Sequence, residues 1–206
     1  MKIKKITGIV LAGGKSSRIG TEKGLVIFRN KPLIEYSLNV LILVANEIII
    51  SSNSAVYDGF GIPVLNDEFP DSGPMGGIYT CLKASENEIN IVLSCDMPMV
   101  NAVFLNSLIA AADGFDAVVP WHEKKYYEPL CAVYRKNLLP VFEDFIQNKN
   151  FRIPDLFAVV NTNYLKIGKA FGVDPLIFFN INTLQQLDEL SQMVDTDQEN
   201  ENEKTA

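Results

Sequence analysis

The fold this sequence predicts is a single α/β domain of three layers, Rossmann-like, with a mainly parallel sheet, and three observations predict it. Apolar runs of strand length fall at 6–12, 47–52, 89–95 and 116–120, and stretches of helical periodicity near 33–45, 74–86 and 101–112 separate them. Such alternation is the pattern of parallel strands joined by crossover helices. Within those runs "IVLA", "EIIIS" and "INIVLS" are almost continuously apolar, which suits strands covered on both faces. The third observation is size: 206 residues, 48% apolar and 21% charged, make one good core of ordinary soluble composition.

Taken in order, the basic opening "MKIKK" precedes an apolar run that stops at "GGKSSR" with no cleavage-like sequel, so no secretory signal is expected. The first strand then breaks into "LAGGKSSRIGTEKG", residues 11–24, with four glycines and almost nothing to bury. A strand ending in "AGG" can turn tightly enough for its amides to converge, and Gly13 and Gly14 let a ligand approach the backbone. Lys15, Arg18 and Lys23 add three cations within nine residues. Phosphate binding is the chemistry such a loop offers, and a solvated surface loop is the competing reading. Its spacing is neither G-x-G-x-x-G nor G-x-x-x-x-G-K-[ST].

The greasiest stretch, "SLNVLILVANEIII", is interrupted by Asn39, Asn46 and Glu47 and is too short to span a bilayer. Asn53 ends the second strand as a turn former or a ligand contact. In "NDEFPDSGPMGGI", Gly73, Pro74, Gly76 and Gly77 precede a helical run. A helix start of that kind is either a plain cap or an open N-terminus for an anion or a ligand carbonyl. "IVLSCDMP" ends a buried strand on Asp96. A carboxylate at the carboxyl end of a parallel strand faces the crevice where α/β sheets bind ligands and can hold a metal, or it can be a turn residue. Val103, Leu105, Leu108 and Ile109 form a core stripe.

Beyond Trp121 the pattern is less regular: "YYEPLCAVYR" reads as a strand pair or edge, and "NLLPVFEDFIQN" as a helix interrupted near Pro140. "PLIFFNINT" reads as a late strand before the helix "LQQLDELSQM". From Asp195 five acids and one lysine supply −4 of the formal −7, so the domain is expected over 1–194 with a disordered tail at 195–206. The remaining −3 does not suit a nucleic-acid binder. Cys81, Cys95 and Cys131 are odd in number and without C-x-x-C spacing, so they read as reduced thiols in the core or beside a site. His122, the sole histidine, has no nucleophile motif beside it, and "EKK" at 123–125 reads as a solvated turn. A cytosolic protein without membrane contact is the simplest reading.

The loop "LAGGKSSRIGTEKG" resembles the L-A-(G/A)-G-x-S-x-R-M-G-x-x-K signature of nucleotidyltransferases that move a nucleoside monophosphate from an NTP onto a phosphorylated acceptor. With "LAGG" where others have "LAAG", it is most similar to the molybdenum cofactor guanylyltransferases, which join GMP to molybdopterin. "SGPMGG" resembles their G-P-L-x-G segment, "CDMP" their C-D-x-P, "EPLCAVY" their (Q/H)-P-x-x-A-x-Y, and "NINTLQQL" their N-x-N-T-x-x-(E/D)-L. The resemblance runs from about residue 6 to about residue 190, and its first and third motifs together are specific.

It implies the nucleotide-diphospho-sugar transferase type of fold, GTP and molybdopterin or the molybdenum cofactor as substrates, and Mg²⁺ held by Asp96. It further implies that Leu11, Ala12, Gly13, Gly14, Lys23, Asn53, Asp67, Gly73, Gly77 and Asp96 surround the nucleotide. Lys15, Arg18, Lys23 and Asp96 would carry the catalysis, with Asn180 and Asn182 on the phosphate and acceptor side. Proteins of cofactor biosynthesis and enzymes that take up the cofactor are the protein partners it suggests. Ile19 stands where Met is usual and Glu22 where Asp is frequent, while "NKNFRIPDLF" follows the family's R-x-x-x-x-L only loosely. A cytidylyltransferase on the same cofactor and a sugar-phosphate nucleotidyltransferase are the nearest alternatives. A catalytically idle nucleotide-binding partner and a purely structural interaction module stand further off.

Overall fold

The nearly continuous apolar runs become the middle of the sheet. A computed structural model describes residues 5–13, 15–16, 21–121, 127–167 and 175–205. In chain order, β1 (Ile6–Leu11) leads to a small hairpin of β2 (Lys15–Ser16) and β3 (Thr21–Glu22), and then to a second of β4 (Ile27–Phe28) and β5 (Lys31–Pro32). There follow α1 (Leu33–Leu41), β6 (Glu47–Ser51), β7 (Val64–Leu65), α2 (Pro74–Ala84), β8 (Ile89–Ser94), α3 (Ala102–Ala110) and β9 (Ala117–Trp121). The later part holds β10 (Cys131–Arg135), α4 (Leu139–Gln147), α5 (Ile153–Phe157), β11 (Thr162–Lys166) and α6 (Leu184–Thr205).

Seven strands form one sheet in the order β11-β9-β10-β8-β1-β6-β7. β1 pairs in parallel with β6 and β8, β6 with β7, and β9 with β11; β10 alone runs antiparallel to its neighbours. All six residues of β1 and of β8 are buried, as strands covered on both faces must be. Side chains alternate between two cores. Val10, Ile91, Val118 and Val133 meet α1 and α3 on one face, and Ile9, Val92, Val119 and Ala132 meet α2, α4 and α5 on the other. The expected three-layer α/β architecture with a mainly parallel sheet is therefore borne out. Among the described residues no helix is long and apolar enough to cross a membrane.

Four local readings need correction. Residues 175–178 form a 3₁₀ turn, not a strand, and Phe178 packs edge-on against Phe104 of α3. Pro140 stands in the first turn of α4 and so starts that helix rather than interrupting it, since an early proline loses no internal hydrogen bond. Val103 is 81% exposed, while the neighbouring Phe104 joins Leu105, Leu108 and Ile109 on the buried face. Finally, "CAVYR" is an inner strand between β8 and β9. The acidic segment from Asp195 continues α6 as far as Thr205, and Asp195 pairs with Arg29. Glu, Gln and Lys are good helix formers.

Candidate active site

Parallel pairing brings the carboxyl ends of the inner strands to one level: Leu11 lies opposite Ser51 on one side and Ser94 on the other. Beyond them opens a cleft of about 520 Å³, walled by Leu11, Gly13 and Asn53, by Asp67, and by Gly73, Pro74 and Gly77 at the start of α2. Gly73 has φ 60° and ψ −149°, a region open almost only to glycine, and this lets the chain turn sharply into the helix. At Gly77 an added Cβ would lie 2.3 Å from Ser51 Oγ, so the absent side chain is what lets α2 close on the strand end.

Asn53 and Asp67 hold each other across the cleft: the Asp67 amide donates to Asn53 Oδ1 (2.8 Å), and Asn53 Nδ2 donates to Asp67 Oδ2 (3.5 Å). Burial pushes the Asp67 carboxyl up, and hydrogen bonds from Ser51 and Asn53 hold it down in part. Ala12 is buried behind the cleft, its amide donating to Ser51 O at 3.0 Å.

A second cluster adjoins it. Asp96, 6% exposed, follows β8, and its Oδ1 is enclosed with no hydrogen-bond partner among the described residues. Its Oδ2 accepts from Lys23 Nζ, which also donates to Asn182 Oδ1 at 2.6 Å. Lys23 opens a 3₁₀ turn pinned where the Gly24 amide donates to the buried Tyr57 hydroxyl (3.2 Å). Asn182 is set by the start of α6, where Thr183 Oγ1 accepts from the Gln186 amide (3.1 Å) and Gln186 Oε1 accepts from the Asn182 amide (2.8 Å). That reciprocal pattern is close to a capping box. The Ile181 amide donates to Asp96 O at 3.0 Å and ties this segment to the end of β8.

Residues 8–158 match the MobA-like NTP transferase domain. A "probable molybdenum cofactor guanylyltransferase" of Flavobacterium johnsoniae is 33% identical over 92% of this chain and 98% of its own length. Its counterpart from Methanosarcina acetivorans is 34% identical over 92% of this chain and 91% of its own. The chain belongs to the MobA-like NTP transferase family. Among solved structures, molybdopterin-guanine dinucleotide biosynthesis protein A from Archaeoglobus fulgidus superposes with a TM-score of 0.79 at 26% identity, over 92% of this chain and 99% of that one.

The two clusters differ in chemistry: one is a glycine-walled cleft, and the other, beside it, pairs a carboxylate with an ammonium. The Asp96 and Asn182 oxygens, one of them orphaned, suit a hard divalent cation, which takes oxygen ligands and needs only one or two protein carboxylates when phosphates supply the rest. No group of three or more His, Cys, Asp or Glu able to hold a metal occurs among the described residues.

The structure thus brings Leu11, Gly13, Asn53, Asp67, Gly73 and Gly77 to the cleft, and Lys23, Asp96 and Asn182 to the second cluster. Among the described residues Asn180 donates to Phe178 O, at 3.3 Å. Gly14 and Arg18 lie outside the described residues, as does His122, and of Lys15 only the backbone is described, opposite Glu22. Sequence reasoning missed Ser51, Ser94 and Leu130, which wall the cleft; their shared position at strand ends was the available signal. It also missed Glu128, whose carboxyl is pushed up to about 7 by burial and then by the charge of Asp96. The three thiols are buried and free, as expected, and burial pushes Cys81 and Cys95 up to about 12.

Proposed function

We propose that this chain transfers GMP from GTP to the phosphate of molybdopterin, releasing pyrophosphate and giving the guanine dinucleotide form of the molybdenum cofactor. The observation that carries the reading is Asp96 beside the glycine-walled cleft, one oxygen orphaned and the other sharing Lys23 with Asn182. An acceptor phosphate oxygen attacks the α-phosphorus, and the bond to the β-phosphate breaks. The attacking group is already an anion, so the protein needs no general base; its task is alignment and neutralisation of charge.

Asp96 and Asn182 would hold Mg²⁺, which when bound draws charge from the phosphate oxygens. Lys23 reaches the α-phosphate, while Lys15, Arg18 and the Gly13 and Gly14 amides meet the triphosphate; Asn180 supports the same side. Leu11, Asn53, Asp67 and the turn from Gly73 to Gly77 surround the base. The chain works in the cytoplasm, beside cofactor-biosynthesis proteins and the enzymes that take up the finished cofactor.

The test is the base. Guanine offers O6 as acceptor with N1–H and N2–H₂ as donors, and cytosine a different set, so a site built for one leaves polar groups unpaired with the other, at about 1–3 kcal/mol each. Pyrophosphate release with molybdopterin should favour GTP over CTP and ATP by about a hundredfold or more in kcat/KM. A preference for CTP would move the chain to cytidylyl transfer.

A further inference from the structure

The carboxyl edge of the sheet continues past the nucleotide cleft. Val133 pairs with Ile91 of β8 on one side and with Val118 of β9 on the other, so Trp121 stands level with Ser94. Lys166 of β11 pairs in turn with Trp121. One row therefore runs from Ser51 through Leu11 and Ser94 to Trp121 and Lys166, and its first half walls the cleft. Trp121 shares its face of β9 with Val119 and Ala117, which pack on the side that carries α2. The start of α2 is the other wall of the cleft.

What stands at the far end is an aromatic platform with a cation. Lys166 Nζ lies 5.7 Å from the centroid of the Trp121 ring. Tyr127 bridges to Trp121 through the backbone, and its ring lies 5.2 Å from that of Tyr164, tilted by 45°. Tyr127 is 39% exposed and Tyr164 41%, so flat apolar surface is open to a ligand. Trp121 Nε1 is enclosed without an acceptor among the described residues, whereas a buried indole N–H ordinarily finds one.

Flat π surfaces beside an ammonium recognise a planar heterocycle that carries an anionic group. β10 separates β8 from β9, so two strand spacings, about 10 Å, part the end of β8 from Trp121. A phosphate placed at Asp96 would hold a fused ring system at that distance.

We propose that Trp121, Tyr127, Tyr164 and Lys166 form the seat of the acceptor's planar ring, a phosphorylated pterin, at the opposite end of the strand-end row from the nucleotide base. The assignment rests on the transfer reading given above.

Trp121 is the sole tryptophan in the sequence, so its emission reports occupancy. Molybdopterin should quench it, and a non-hydrolysable GTP analogue should not. In equilibrium dialysis Trp121→Ala should weaken molybdopterin binding by about tenfold or more, the loss of one stacked ring, and Trp121→Phe should restore most of it. Lys166→Ala and Tyr127→Ala, at a strand end and an exposed ring, should each weaken binding severalfold with unchanged melting temperature and unchanged affinity for the GTP analogue. If wild-type protein binds molybdopterin and the Lys166 and Tyr127 variants bind it equally well, the seat is overturned and the transfer reading stands. Wild-type protein that binds the GTP analogue but not molybdopterin overturns both. Glucose 1-phosphate displacing molybdopterin from the wild type at equal concentration would overturn the planar-ring assignment alone.

Discussion

The two ends of the same strands are built on opposite principles. At the amino edge, Thr7 Oγ1 meets Ser85 Oγ at 2.7 Å, accepts from Asn87 Nδ2 at 3.0 Å and donates to the Glu47 carboxylate, while the Ile6 amide donates to Asn46 Oδ1 at 3.0 Å. Thr7, Ser85, Asn87 and Asn90 are buried in this knot, which is nearly saturated; Asn90 Oδ1 alone lacks a partner there among the described residues. At the carboxyl edge, Asp96 Oδ1 has no partner among the described residues, and burial pushes Asp67 and Glu128 toward their neutral forms. Satisfied polar groups hold strands together, and a buried carboxylate oxygen like Asp96 Oδ1 is where a ligand would gain most.

The comparison breaks most sharply at Asp96. Asp96→Asn should lower turnover by about a hundredfold or more, the scale of losing one preorganised electrostatic contact, and should leave the melting temperature nearly unchanged. A variant that unfolds, or one that keeps wild-type turnover at saturating Mg²⁺, would put Asp96 with the structural end instead.

Gly77→Ala tests the wall of the cleft. Its Cβ would meet Ser51 Oγ at 2.3 Å, and relieving such a clash costs about 1–3 kcal/mol. We expect a fall in nucleotide affinity of about tenfold on that scale, measurable by calorimetry with a GTP analogue. Unchanged affinity would mean that the serine turns aside freely.

Thr7→Val should do the reverse, removing about 1–3 kcal/mol of stability by stranding its buried partners. That is a drop of about 2–4 °C in melting temperature per kcal/mol at this chain length, with turnover unaltered. Lost turnover at constant stability would dissolve the distinction between the edges.

The smallest effect belongs to pH. Glu128 titrates at about 7 when folded against an ordinary 4.5, so the folded chain binds more protons than the unfolded chain between those values. Its contribution to stability is fully present below about pH 4.5 and is lost as pH rises to about 7. Glu128→Gln should flatten the fall in melting temperature across that window. An identical slope in variant and wild type would show that the carboxyl is not so shielded.

Sequence alone showed the inner parallel strands because β1, β6 and β8 are almost continuously apolar, and its spaced motifs singled out Lys23, Asp96 and Asn182, which the fold brings into one cluster. It did not show β7, which has only two residues, or β11, whose "TNYLK" is half polar and lies at a sheet edge. The apolar 176–179 stretch carries the composition of a strand, yet Ile177 and Phe178 bury themselves in the α1–α3 core from a turn. The meeting of Lys23 with Asn182 joins residues 159 apart, and nothing local announces it.

The Lys23 contact also governs the order in which ligands can act on one another. The ammonium occupies Asp96 Oδ2 and Asn182 Oδ1, so a divalent cation held by both residues, as proposed above, would have to draw them away from the lysine. A resting site whose charges cancel then gains two positive charges, just as a triphosphate needs them. If the proposed metal site holds, metal and nucleotide would strengthen each other's binding by the same factor, and in Lys23→Ala, where no ammonium has to be displaced, that coupling should shrink while the metal alone binds more tightly.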